Sequence, residues 1–186
     1  MLPAGKKRLD ALIIASTAKE DINALTGSMD KYVPDLVLST IGPDANQTTR
    51  TIYKILGDRN VPITNVQVGQ RLDLGSGIAV EFLSIEERGT ILWLSWENFS
   101  ALIPTGKVSM AHITPPCEPD VLLIPDNLDA EDLPMEIINQ WSPSVIMLPL
   151  EESDLPFQGQ YEVLSLLADY PIVSTLDHPW VRISTD

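Results

Sequence analysis

Cysteine occurs once in the 186 residues, at Cys117, and histidine twice, at His112 and His178. A single cysteine excludes an intrachain disulfide and any cysteine-rich zinc site, and the thiol between Pro116 and Glu118 reads as inert. Basic residues are also scarce. No Lys or Arg stands between Lys107 and Arg182, a stretch that carries Glu118, Asp120, Asp126, Asp129, Glu131, Asp132, Glu136, Glu151, Glu152 and Asp154 among its acids. The formal net charge is -14. Phosphate backbones are gripped by basic patches, so direct nucleic-acid binding is not expected from this charge. A solvated acidic surface that aids solubility is the plainer reading. No segment approaches the ~20 apolar residues that span a bilayer, so no transmembrane segment is expected. Lys6-Lys7-Arg8 does not open a signal peptide either, because Asp10 and Lys19 bracket the apolar run that follows. As it stands, the chain reads as soluble.

Hydrophobic residues make up 44% and charged residues 20% of the sequence, which suits one α/β domain over residues 1–186. Leu9 to Ala15 reads as a buried strand, Lys19 to Tyr32 as a helix and Leu36 to Ser39 as a second strand, a βαβ opening. After Gly42-Pro43, Asp44 to Asn46 offer caps for a helix through Ile52, Ile55 and Leu56, and Val61 to Ile63 begins an extended stretch. The centre changes character. Val66 to Val68, Leu72 to Leu74, Ile78 to Leu83, Thr90 to Trp96 and Phe99 to Ile103 read as successive strands separated by glycine-bearing turns and by Glu97-Asn98, an antiparallel meander. Alternation then returns. Val121 to Ile124, Val145 to Leu148, Ile172 to Ser174 and Val181 to Ile183 read as strands, with helices at Glu131 to Trp141 and Tyr161 to Leu167. Trp93 and Trp96, three apart in one strand, point to opposite faces, so at most one belongs to the core. An α/β start, an antiparallel middle and an α/β end predict mixed sheets with outer helices, as in a four-layer αββα sandwich. A flavodoxin-like or DHH-type fold is the alternative.

Leu12 to Leu25 also carries a resemblance to the metallo-β-lactamase superfamily, whose metal motif T-H-x-x-x-D-H-x-G-G-L sits on such a strand, turn and helix. Ala15 stands at the Thr, Ser16 at the first His and Ala18 at a His or Asp position. Glu20 stands at the Asp, Asp21 at the last His and Asn23-Ala24 at the glycines. Other segments resemble the hydrolase-like domain of ComEC-type DNA-internalisation proteins of bacterial competence. Arg8 to Ile14 resembles the strand before the metal motif, and Gly69 to Gly75 resembles its G-x-x-L-x-L-G turn. Ser100 to Lys107 resembles F-L-L-T-G-D, with Lys107 at the metal-bridging Asp. Asp120 to Asn127 resembles D-V-L-K-V-P-H-H-G, with Asp126 and Asn127 at the two His. Pro143 to Leu148 and Thr175 to Thr185 resemble the closing strands. The family's N-terminal strands, with D-V-G-Q-G-D, have no counterpart, so the resemblance implies a metallo-β-lactamase-like sandwich lacking them, as in a fragment or a shortened gene product.

The resemblance implies lost chemistry. Two-metal hydrolysis needs ions roughly 3.5–4 Å apart, held by His and carboxylate ligands around a bridging hydroxide. His112 and His178 lie outside the motif positions and read as turn or surface residues. Lys107 would set a positive charge where two cations belong. The expectation is therefore a non-catalytic domain with no metal and no cofactor, and with a vestigial cleft formed by Ser16, Ala18, Glu20, Asp21, Lys107, Asp126 and Asn127. It would act as a binding or structural module. Its partner would be another protein, a second copy, or the remainder of a bacterial membrane competence protein. The alternative is a metal-dependent hydrolase or nuclease in which Glu20, Asp21 and Asp126 converge to hold Mg or Ca.

Overall fold

The computed structural model describes residues 8–29, 32–125, 133–149 and 158–175. The first sheet begins as one extended path broken at Asp10 and Ala11, giving β1 (Arg8–Leu9) and β2 (Leu12–Ile14). β3 (Val33–Pro34) and β4 (Val37–Ser39) are broken in step with them and pair parallel to β1 and β2. The amide of Asp35 donates to Leu9 O and that of Leu12 to Leu36 O, which carries the ladder across both breaks. β5 (Ile63–Asn65) joins the far side of β4, giving the order β2-β4-β5. Parallel neighbours need a crossover. Here α1 (Lys19–Ser28) and α2 (Gln47–Asp58) supply it.

Alternation along the strands sorts the core into layers. Leu12, Ile14 and Val37 pack with Ile22, Met29, Ile52 and Leu56 beneath the two helices. Ile13, Ala15, Leu36 and Leu38 face the other way and meet Val80, Phe82, Leu92, Leu94 and Ile103 of a second sheet.

That second sheet has seven strands in the order β12-β11-β10-β9-β8-β7-β6. β6 (Arg71–Gly75), β7 (Ile78–Ile85), β8 (Gly89–Trp96) and β9 (Phe99–Gly106) form the antiparallel meander, joined at Ser76-Gly77 and Glu97-Asn98 by two-residue turns. β10 (Val121–Leu123), β11 (Val145–Leu148) and β12 (Ile172–Ser174) continue it in parallel. The opposite face of the sheet packs Ile91, Trp93, Leu102, Leu122 and Ile146 against α3 (Met135–Trp141) and α4 (Gln158–Leu166), through Ile138, Trp141 and Val163. Helices, sheet, sheet, helices: this is the four-layer αββα sandwich with a mixed sheet. Trp93 is buried and Trp96 half-buried, as their opposed directions require.

Besides the break of the Leu9 to Ala15 strand, further elements differ from expectation. Val66 to Val68 is not a strand. Val66 extends the β4 ladder by donating to Ser39 O, and the chain then turns at Val68-Gly69 to cross between sheets. Gly69 adopts φ +81 there, and its amide reaches Phe82 O. α1 stops at Ser28 rather than Tyr32, because Thr26, Gly27 and Ser28 are successive weak helix formers. α3 starts at Met135, after Pro134; Glu131 and Asp132 lie outside the described residues, as does Val181 to Ile183. No helix among the described residues is long and apolar enough to cross a membrane.

Candidate functional site

The two sheets are tied together at one end, where β2 and β4 finish and β8 begins beside the end of β9. The Thr105 hydroxyl lies 2.8 Å from Ala15 O and 3.0 Å from Thr90 O, within donating distance of both, and accepts the Thr90 amide. The hydroxyls of Thr40 and Thr90 are 2.8 Å apart. Thr90 is fully buried, so these partners satisfy polar atoms that water does not reach.

The loop leaving β2 is held by its own side chains. Ser16 is buried, and its Oγ accepts the Ala18 amide at 3.0 Å. Asn46, the N-cap of α2, accepts from Thr49 N at 2.8 Å and from Thr49 Oγ1 at 3.0 Å. The Asn46 Nδ2 donates to Thr17 O at 3.1 Å, fixing the start of α2 against the β2 loop. Opposite, Gly89 and Gly106 face each other as the first register pair of β8 and β9. Neither position has room for a Cβ. A methyl on Gly89 would overlap Thr105 O, and one on Gly106, at φ +62, would overlap Arg88 O. Arg88 and Lys107 stand one step beyond this pair.

Between these loops lies a cavity of about 580 Å³, walled by Thr17-Ala18, Ala45-Asn46, Glu87-Arg88 and Lys107. Of the residues expected to share a cleft, Ala18 and Lys107 line this cavity and Ser16 lies buried beside them, its Oγ on the Ala18 amide. Glu20 and Asp21 fall in the first turn of α1, and their side chains lie outside the described residues. Asp126 and Asn127 also lie outside the described residues. Thr17, Asn46, Glu87 and Arg88 were not anticipated as site residues. Asn46 was legible only as a helix cap, and Arg88 only as part of the Arg88-Gly89 turn.

The described donor set does not fit a two-metal centre. Ser16 offers only a neutral hydroxyl, whose oxygen already accepts the Ala18 amide, Ala18 offers no side-chain ligand, and Lys107 brings an ammonium group. Among the described residues, no group of three or more His, Cys, Asp or Glu side chains is placed to hold a metal ion. His112 and Cys117 line a second cavity of about 330 Å³ beside Trp141, which shares no lining residue with the first. Both are exposed, His112 in a turn, as the sequence predicts.

Solved structures share this architecture. A putative metal-dependent hydrolase from Parabacteroides distasonis matches at TM-score 0.58 and 11% identity, over 91% of this chain and 77% of that one. CmlA, a diiron beta-hydroxylase from Streptomyces venezuelae, matches at TM-score 0.62 and 12% identity, over 91% of this chain. This chain spans only 44% of the hydroxylase. The fold is metallo-β-lactamase-like. At such identities the likeness concerns the fold alone. No protein-family model matches the sequence, and no curated protein matches it.

Proposed function

We propose that this chain is a non-catalytic metallo-β-lactamase-like domain, related to the ComEC-type DNA-uptake proteins, that serves as a binding or structural module. One observation carries the reading. A cavity lies between the loops at the joined end of the two sheets, and Lys107, which stands at the bridging carboxylate of the resembling family, is among its lining residues. An ammonium group there repels divalent cations, and the repulsion grows as the site is shielded from water. Ser16 and Ala18 agree with this, since the first is committed to a local hydrogen bond and the second has no donor. By analogy with the family, the setting is bacterial DNA uptake. The net charge of -14 disfavours a grip on DNA by the domain itself, so a protein partner, a second copy or the remainder of a membrane protein is the natural counterpart.

The competing reading is a metal-dependent hydrolase or nuclease with a carboxylate site. It is favoured by the position of Glu20 and Asp21 in the first turn of α1, two residues after Ala18. Elemental analysis of the purified protein together with a phosphodiesterase assay separates the two. The non-catalytic reading expects substoichiometric metal and no turnover above background. Stoichiometric zinc or manganese, with turnover abolished by Asp126→Ala, overturns it.

A further inference from the structure

Trp141 holds a buried donor with nothing to donate to. Only 6% of the residue is exposed, yet it lines the second cavity, of about 330 Å³. An indole N–H is a donor and nothing else. Among the described residues none accepts a hydrogen bond from it, although polar side chains nearby are paired. The Ser142 hydroxyl donates to Asn139 O, and the hydroxyl of Tyr170 bonds Asn139 Oδ1. Buried donors in folded proteins almost always find an acceptor, so this one points to an acceptor brought from outside the chain. The walls of the cavity are set in advance. α3 is anchored in the core by Ile138 and Trp141, and Ile113 of the facing loop packs on the same core. That loop turns where Ile113 N donates to Met110 O, is stiffened by Pro115 and Pro116, and is tied down where the Ser100 hydroxyl donates to Glu118 O. Its volume falls at the lower end of the ~300–1,000 Å³ of small-ligand sites.

We infer that this cavity binds a small uncharged ligand with an apolar body and a carboxamide head. Ile113, Pro115 and Ile137 line it and offer the apolar contact. The Trp141 N–H calls for an acceptor, which a carbonyl oxygen supplies. Glu118 is the one carboxylate of the described lining, no Lys or Arg lines the cavity with it, and its side chain bonds none of the described residues. An ionised carboxylate only accepts, so an amide N–H suits it. An anionic head would meet Glu118 without a lysine or arginine to offset it, and a cationic head would leave the indole donor unpaired. A carboxamide carries acceptor and donor in one uncharged group. The inference goes beyond the non-catalytic reading and does not rest on it, since the two cavities share no lining residue.

The test uses the full chain grown on isotopically labelled nitrogen, in which each of the four tryptophans gives one indole N–H resonance. The resonance missing from Trp141→Phe is that of Trp141. Benzamide is titrated in at constant ionic strength, with benzoate, benzylamine and toluene as comparison probes. A saturable shift of the Trp141 indole resonance is expected, with those of Trp93 and Trp96 moving less. Trp141→Phe removes the donor and keeps an aromatic ring, so benzamide affinity, read from the Ile113 and Gln140 amides, should fall about threefold to tenfold. Ala111→Phe fills the cavity from an exposed position and should abolish binding while keeping the parent circular dichroism and Tm. This variant and the probe series decide the question even where Trp141→Phe does not fold. Glu118→Gln keeps an acceptor and removes the charge, so benzamide should still bind and benzoate should bind about threefold or more tighter than on the parent. Absence of a saturable Trp141 shift up to the solubility of benzamide overturns the inference. So does a shift that persists in Ala111→Phe, or benzoate, benzylamine or toluene binding as tightly as benzamide.

Discussion

Replacing Gly106 by alanine should be the most damaging single-methyl change near the cleft. The residue has φ +62, where an L side chain costs ~1–2 kcal/mol through crowding of its Cβ against the backbone. The added methyl also meets the Arg88 carbonyl oxygen well inside the 3.0 Å that real Cβ atoms keep, and lies 2.6 Å from Ser16 Oγ. The hydroxyl can rotate, at the expense of its bond to the Ala18 amide, worth about 0.5–1.5 kcal/mol. The carbonyl cannot move without separating β8 from β9, and overpacking of this kind costs roughly 1–3 kcal/mol. Together these give a loss of about 2.5–6.5 kcal/mol, a large part of the ~5–15 kcal/mol that holds a typical domain together. With a urea slope near ~2 kcal/mol per molar, the unfolding midpoint should fall by about 1.3–3.3 M. Gly42→Ala is the control, since nothing lies within 4 Å of its Cβ position and its φ is not in the left-handed region. A Gly106→Ala midpoint within about 0.5 M of the parent, or no lower than that of Gly42→Ala, would refute this account of the β8–β9 end.

Asn46→Ala removes the cap of α2 and the link to Thr17 O, and should cost about 1–2 kcal/mol in urea unfolding, whereas Asn46→Asp keeps the cap and should cost less. Gly57→Ala should act in the opposite direction. It lies exposed within α2 with no atom near its Cβ position, so it should stabilise by about 0.5–1 kcal/mol and raise Tm by about 1–4 °C in a calorimetric scan.

The meander was the most legible part of the sequence. Ile78 to Leu83, Thr90 to Trp96 and Phe99 to Ile103 are apolar runs rich in β-branched and aromatic residues, bounded by turns, and β7, β8 and β9 include all three. β11 and β12 match their expected limits, because each is a short apolar run with polar or proline boundaries. Misreadings have local causes. Val66-Gln-Val68 has the composition of a strand, yet Val68 is 59% exposed in the turn that takes the chain from one sheet to the other. The break at Asp10-Ala11 is a matter of pairing with an equally broken neighbour, which no periodicity encodes.

The site was half legible. Ala18 and Lys107 were found through the resemblance of their loops, and both line the cavity. Arg88 was not, because a basic residue in a turn carries no distinguishing pattern. Its significance comes from the register of β8 on β9, a tertiary fact. Asn46 illustrates the same limit. Its role as a cap is local and readable, while its bond to Thr17 spans 29 residues and depends on α2 crossing beside the β2 loop.

The threonine contacts between the sheets have a mechanical consequence. Thr40, Thr90 and Thr105 join the sheets by directional bonds at the cleft end, while the interior between them, around Phe82 and Leu92, is held by apolar packing that has no directionality of its own. The two halves of the sandwich are thus pinned at one end like the blades of a fan. A displacement of one sheet against the other would have to break these bonds, beside the loops that carry Arg88 and Lys107.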